Sequence, residues 1–307
     1  MLLNPNIRLN NYLSYRTTFY DALKNDDIYF ASQIIEKMDA REIAFAIYEN
    51  GCSPLHLVAK KGFNGLIAKL LNKCGADLIK KVDISGRTAL YYAVKSSDYQ
   101  SVRCLLDQMS NEDILRQYDE NFFSVLHLAV RIKNTCIAST LMTRNRDLAN
   151  KIDANGLTPL HWAVIKRDLP TLFALVQLTP AEDLCIRDEI HLSTVLHVTV
   201  IHITNLNEQI PILNCLLHKG EAALAGIEDQ KKQTALHWAV KKNNFEVCRV
   251  LCNFMHYPDI HKVDKYFQSA LDLSQDKDSR IIELLIQKQR FKLSDLDLKQ
   301  PVSSTQF

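Results

Sequence analysis

The stretch Thr158-Pro159-Leu160-His161-Trp162-Ala163-Val164 returns along the chain with small variations. Before it stand Ser53-Pro54-Leu55-His56-Leu57-Val58-Ala59, Thr88-Ala89-Leu90-Tyr91-Tyr92-Ala93-Val94 and Ser124-Val125-Leu126-His127-Leu128-Ala129-Val130. After it come Thr194-Val195-Leu196-His197-Val198-Thr199-Val200, Thr234-Ala235-Leu236-His237-Trp238-Ala239-Val240 and the weaker Ser269-Ala270-Leu271-Asp272-Leu273-Ser274. The anchoring residues Leu55, Leu90, Leu126, Leu160, Leu196, Leu236 and Leu271 are separated by 35, 36, 34, 36, 40 and 35 residues. A second apolar pair keeps the same beat: Leu70-Leu71, Leu105-Leu106, Leu141-Met142, Leu175-Val176, Leu216-Leu217, Leu251-Cys252 and Leu285-Ile286. Agreement at two independent positions in every copy defines a repeat protein, which overrides the two-domain expectation from length alone.

Each copy reads as a helix start. Ser or Thr before an apolar run is an N-cap, and Pro54 and Pro159 fall in the first turn, where a missing N–H costs nothing. An acidic residue precedes the cap by five positions in six copies: Asp83, Asp119, Asp153, Glu189, Asp229 and Asp264, with Tyr48 breaking the pattern. Apolar residues then recur at helical spacing, as in Phe245, Val247, Cys248 and Leu251.

The pattern resembles the T-P-L-H-x-A signature and ~33-residue period of ankyrin repeats. The resemblance implies an all-α-type repeat solenoid of about seven ankyrin repeats, each with a short β-hairpin finger and two helices. Phe19 precedes Leu55, and Ile34 precedes Leu70, by 36 residues, so residues 19–26 and 28–35 read as a degenerate N-terminal cap shielding the end of the stack. The array is expected over residues 12–288, with repeat cores near 12–46, 48–81, 83–117, 119–151, 153–186, 188–227, 229–262 and 264–288. A head over 1–11 and a disordered tail over 289–307, with Pro301 and a Ser/Thr run, complete the chain.

Glycine is scarce, 8 in 307 residues against a usual ~7%. The finger glycine of the family is present as Gly51, Gly86 and Gly156 but is replaced by Phe122, Leu192, Lys232 and Phe267. Those four fingers are expected to be reshaped or strained, since bulky residues resist positive φ. Repeat five also carries about five extra residues around 201–209, which lengthen a helix or the loop joining the pair; a neutral loop is preferred to a recognition feature.

Composition excludes several classes. The formal charge is +2 and 47% of residues are hydrophobic, which rules out a polyanion-coated whole surface and a disordered chain. No window of eighteen apolar residues offers a transmembrane helix, and the N-terminus lacks the layout of a secretory signal. Eight scattered cysteines suggest reduced thiols and a cytoplasmic location.

Catalytic motifs are absent, the array uses nearly all of the chain, and neither enzyme activity nor a cofactor is expected. By the family resemblance, His56, His127, His161, His197 and His237 are structural, bonding between neighbouring hairpins. Cys248, Cys252 and His256 stand at i, i+4 and i+8 and could ligate zinc with His261. Cys248 and Cys252 align with the apolar Val102 and Leu106, however, so the buried-hydrophobe reading is preferred and no metal is expected. Trp162 and Trp238 share one repeat position with Leu57, Tyr92, Leu128 and Val198, which favours packing over a ligand platform.

Ankyrin repeats usually bind through finger tips and first-helix ends on a concave face. Carried over by position, the helix-end sites are Lys60, Lys61, Lys95, Arg131, Lys166, Arg167, Lys241 and Lys242, with His202 in repeat five and Asp276 breaking the run in repeat seven. Arg87, Lys231, Lys232 and Lys265 add finger cations. Such a ladder suits an acidic partner, and this reading is preferred to a merely solvated surface. Ile84, Phe122, Phe123, Leu157 and Ile190 give the fingers an apolar strip, joined by Ile132 and Ile165, preferred as a binding surface over finger packing.

The expected function is therefore a non-catalytic module that binds a partner protein carrying acidic and apolar groups, without membrane insertion. Nucleic acid or another polyanion on the ladder is the alternative, disfavoured by the near-neutral charge and by Glu120 and Asp168 beside the cations. Asn-, Lys-, Ile- and Tyr-rich composition, diverged repeats and the polar tail resemble ankyrin effectors that intracellular bacteria deliver into host cells.

Overall fold

A Ser or Thr in extended conformation stops the incoming chain and starts the first helix of each of the first six repeats; at Ser53, φ and ψ are −82° and 167°. In five of these the third helical residue is histidine, and its Nδ1 accepts the cap's own backbone N–H. The distances are 3.0 Å at His56, 3.2 Å at His127 and His161, 3.3 Å at His197 and 3.1 Å at His237. This is a capping box with imidazole in the role usually taken by Glu or Gln. Because Nδ1 accepts, the other nitrogen carries the proton, and it donates to the next finger: His56 Nε2 to Arg87 O at 2.9 Å and His197 Nε2 to Gln233 O at 3.0 Å.

The computed structural model describes residues 5–118 and 120–297, in two compact units divided at Ala154 and Asn155. The first unit contains α1 (Pro5–Lys24), α2 (Ile28–Lys37), α3 (Ala40–Phe45), α4 (Pro54–Lys61), α5 (Asn64–Cys74), α6 (Ala76–Ile79), α7 (Ala89–Lys95), α8 (Tyr99–Leu106), α9 (Asn111–Ile114), α10 (Val125–Arg131) and α11 (Thr135–Arg144). First helices pack on first helices, α4 on α7 and α7 on α10, and second helices do likewise, α5 on α8 and α8 on α11. The second unit contains α12 (Pro159–Ile165), α13 (Leu169–Leu178), α14 (Val195–His202), α15 (Leu206–Ala225), α16 (Ala235–Lys241), α17 (Phe245–Phe254), α18 (Tyr257–Ile260) and α19 (Ser279–Asp297). Here α12, α14 and α16 form one layer and α13, α15, α17 and α19 the other. The apolar beat is the core: six of the seven anchoring leucines, and every leucine of the second set from Leu70 to Leu285, are buried. Leu271 is the exception, and its repeat has a single 3-10 turn, Asp272–Ser274, in place of a first helix.

The fingers depart from the expected β-hairpins. Among the described residues there is no strand, only isolated bridges at Tyr118–Phe123 and Val263–Ser269. Among the described residues successive fingers are joined by single backbone bonds, such as Ile84 N to Asn50 O at 3.0 Å and Lys265 N to Lys231 O at 3.0 Å, too few for a ladder. Aspartate takes over the turn instead. Asp83 Oδ1 accepts from Ser85 N and Arg87 N, Asp229 Oδ1 from Lys231 N and Gln233 N, and Asp264 Oδ1 from Tyr266 N and Gln268 N. In repeat five this role falls to Asp188, not Glu189: its carboxylate accepts from Ile190, His191 and Ser193 amides at 2.7–3.0 Å. Finger five is thus one residue longer, closing from Asp188 N to Ser193 O where finger two closes from Asp83 N to Arg87 O. Asp119, its counterpart in repeat three, lies outside the described residues.

Where glycine is missing, the left-handed backbone is kept. Phe122, Leu192, Lys232 and Phe267 have φ of 52°, 53°, 55° and 61°, near the 74° of Gly156. The extra residues of repeat five lengthen its second helix. Pro170 stands in the first turn of α13, whereas its counterpart Pro211 lies a turn and more inside α15, which starts at Leu206. At the termini, α1 begins inside the expected head, and α19 continues to Asp297 through residues 289–297 of the expected tail. Residues 1–4 and 298–307 lie outside those described.

Candidate functional site

The ladder cations sit at the C-terminal ends of first helices, where the helix dipole favours positive charge. Lys60, Lys61, Lys95, Arg131, Lys166, Lys241 and Lys242 are all exposed. Three of these are engaged: Lys61 with Asp26 at 2.6 Å, Lys241 with Asp264 at 3.9 Å, and Lys242 donating to Ile201 O. Among the described residues Lys60, Lys95, Arg131 and Lys166 have no acidic partner. Arg87, a finger cation, is only half-exposed and is neutralised by Asp83, Nε to Oδ2 at 2.8 Å. Burial alone would raise the Asp83 carboxyl, but bonds from Tyr92, Arg87 and Ser85 outweigh it and hold it below the usual carboxylate range.

Most of these cations lie over aromatic rings. In the first unit Arg87 lies over Tyr91 and Tyr92, Lys95 over Tyr91, and Arg131 over Phe123, at 5.2–5.9 Å. In the second, Lys166 lies over Trp162 at 5.2 Å, and Lys231 and Lys241 over Trp238 at 5.9 and 5.7 Å. Each such contact contributes roughly 0.5–1 kcal/mol at an exposed site and fixes where the charge stands.

The apolar strip is only partly exposed. Ile84 is 76% exposed, Phe122 56% and Ile190 53%, while Leu157 is half-buried. Phe123 is 7% exposed, with its ring edge-on to His127 at 5.5 Å, and so lies under the surface expected of it. Ile132 is half-buried and Ile165 exposed.

The structure adds a cleft of about 480 Å³ in the second unit that reading by position did not mark. Leu157, Ile165, Ile190, Val198, Ile201 and Trp238 form its apolar walls, with His191, His202, Asp188, Asp229, Gln230 and Lys231 among its polar lining. Trp238 is fixed by its Nε1 donating to Asp229 Oδ2 at 2.8 Å, so the residue assigned to packing both packs and forms a wall. The available signals were Val198 in a column holding Trp162 and Trp238, and the 40-residue spacing between Leu196 and Leu236.

The cysteines are all free, and Cys248 and Cys252 are buried. Burial pushes both thiols up, Cys252 to about 12. His256 does not extend their helical face, because α17 ends at Phe254 and His256 caps α18. Among the described residues no helix is long and apolar enough to cross a membrane.

Helix pairs in register, capping boxes and aspartate-held fingers define an ankyrin-type stack. Residues 19–118 and 196–297 match the family described as ankyrin repeats (3 copies), and the chain belongs to that family. Inversin from dog is 27% identical over 214 residues, 63% of this chain but 18% of its own length. The mouse nuclear factor NF-kappa-B p105 subunit is 32% identical over 136 residues, covering 44% of this chain and 14% of that protein. The chain thus spans less than a fifth of the length of these relatives. The ankyrin repeat domain of Bcl-3 superposes with a TM-score of 0.53 at 18% identity, over 87% of this chain and 97% of that one, a likeness of fold. Ankyrin repeat domains are in general protein–protein interaction modules and are typically non-catalytic.

Proposed function

We propose that the chain binds a partner protein, without catalysis, through its first-helix ends and finger tips, and that the partner offers acidic and apolar groups there. The observation that carries this reading is the set of exposed cations, Lys60, Lys95, Arg131 and Lys166, that lack an acidic neighbour among the described residues, three of them lying over aromatic rings. Long-range attraction to such groups speeds encounter, and exposed Ile84, Phe122 and Ile190 supply contact area. A role in delivery to a host cell would be read from the polar tail, whose residues 298–307 lie outside those described.

Affinity capture from a eukaryotic cytosolic lysate at two salt concentrations tests the reading, with a variant carrying Lys60→Glu, Lys95→Glu, Arg131→Glu and Lys166→Glu as the control. A protein held by the parent and lost by the variant is expected. Equal capture by both moves binding to the finger tips. Capture of nucleic acid with a steep salt dependence transfers the ladder to the polyanion reading, and no capture at all sinks the module reading.

A further inference from the structure

Repeat five differs from its neighbours in three ways, and the three meet in one place. Its first-helix column holds Val198 where repeats four and six hold Trp162 and Trp238. Its finger is one residue longer, which sets Ile190 and His191 beside the gap. Its first helix runs to His202 and ends at an extended Ile203, where other repeats turn through a left-handed residue such as Arg167 or Asn243. The added turn of α15 makes this ending tenable. Gln209, 1% exposed, donates Nε2 to Thr199 O at 3.2 Å and Val200 O at 3.3 Å; the Ile203 amide also donates to Thr199 O, so Val200 O is the carbonyl that relies on Gln209. Val198, Ile190, Ile201 and His202 all face the cleft.

We propose that this cleft takes one large apolar side chain from an extended segment of a partner protein, with a neighbouring carboxylate of that segment held by Lys231. The proposal rests on the binding reading above and names the chemistry of one of its sites. The apolar walls set the anchor, and a cleft of about 480 Å³ has room for a side chain with adjoining backbone. The polar lining sets the sign of the neighbour. Asp188 and Asp229 have all four carboxylate oxygens occupied by N–H donors, from Ile190, His191 and Ser193 and from Lys231, Gln233 and Trp238. Lys231 has no acidic partner among the described residues, Lys241 shares the Trp238 ring with it, and Lys242 is bonded to the Ile201 carbonyl on the cleft wall. The lining cation left without an ion pair among the described residues is Lys231, and its charge complements an acidic segment. Ile190 and Ile165 continue the apolar surface outside the cleft, so a chain running past it covers more than a small molecule filling it.

The test is selection from a random peptide display library on the parent protein. Isolated peptides are then titrated against the parent, Val198→Trp, Ile190→Asp and Lys231→Glu. Tryptophan already occupies this column in both flanking repeats. The added indole is therefore expected to take up the space that the smaller Val198 leaves beside the cleft. Enriched peptides should carry a large apolar residue beside Asp or Glu, move the Trp238 indole N–H resonance, and bind Val198→Trp at least about tenfold more weakly, as expected for losing one buried apolar side chain. Lys231→Glu should remove the preference for the acidic neighbour. Ile190 is exposed, so Ile190→Asp carries the test even if Val198→Trp fails to fold. Peptides that bind both cleft variants as tightly as the parent overturn the cleft and leave the wider binding reading intact. Enriched peptides without an apolar anchor overturn it too, as does a parent that enriches none while still capturing a protein through its ladder.

Discussion

Lys232→Gly should make the protein more stable, although it removes a side chain and adds a glycine. Lys232 is the fourth residue of the turn in finger six with φ of 55°, where its amide donates to Asp229 O at 2.9 Å, so the finger holds the backbone in the left-handed region. An L-residue costs roughly 1–2 kcal/mol there. Glycine removes that cost and adds about 0.5–1 kcal/mol of chain entropy to be lost on folding. The balance is a gain of about 0.7 kcal/mol, or about 1 °C in melting temperature for a chain of this size. The side chain contributes nothing to offset this, being exposed and free of ion pairs among the described residues. Lys232→Ala is the control, since it keeps the Cβ and with it the backbone cost, and should stay within about 0.5 kcal/mol of the parent. Urea unfolding followed by far-UV circular dichroism, with tryptophan fluorescence reporting on the second unit, gives both values. A glycine variant less stable than the alanine variant would mean the finger is not left-handed at this position, and the same reasoning would then fail at Phe122, Leu192 and Phe267.

Acid should destabilise the fold. Burial holds the imidazoles of His56, His197 and His237 below their usual value, against the pull of Asp83, Asp188, Asp229 and Asp264. Their protons are taken up on unfolding, so stability is full above about pH 6.5 and is lost as pH falls below it, by up to about 1.4 kcal/mol per pH unit for each histidine; urea midpoints unchanged between pH 7.5 and 5.5 would refute this. Gly156→Ala should cost at least about 2 kcal/mol, because φ is 74° and a Cβ would come within 2.4 Å of Glu189 N, and the same denaturation curves measure it. Gln209→Ala should cost about 1–3 kcal/mol by leaving the Val200 carbonyl open in a buried site, whereas an unchanged midpoint would show that water serves as well. In native protein at neutral pH a thiol reagent should modify exposed Cys136 well before Cys248 and Cys252, as read by peptide mass spectrometry; equal rates would contradict their burial.

The repeat beat was legible because burial enforces it. A leucine displaced by one position in any copy would leave the core, so Leu55 to Leu236 and Leu70 to Leu285 announce both layers. The His at the third helical position was legible as structural, though its capping role depends on which ring nitrogen accepts, and no spacing reveals that. The fingers were misread as hairpins because a family pattern specifies a turn, not the number of bonds that join one turn to the next. Asp188 was missed because the extra finger residue shifts the count from the cap, and Glu189 happens to stand at the usual distance. Exposure was the weakest inference. Phe122 and Phe123 are neighbours in sequence, yet the left-handed turn at Phe122 sends one ring outward and leaves the other beside His127.

Drift in a repeat array has a known appearance, and repeat five does not have it. Packing holds the core columns, so neutral changes should gather where packing is weakest and fall without regard to direction. The left-handed helix ends fit that expectation, with Ser97, Lys133, Arg167 and Asn243 standing at positions that Gly62 fills in repeat one. In repeat five the smaller Val198 and the longer first helix arise in one segment and the longer finger in another, and both segments contribute residues to one cleft. The added turn of α15 lies elsewhere, but through Gln209 it supplies the Val200 carbonyl, which the end of this first helix leaves without a backbone donor, with a hydrogen bond. A compensation of that kind has no purpose unless the helix end it supports is kept. That convergence on one cleft is what the proposed site within the stack rests on.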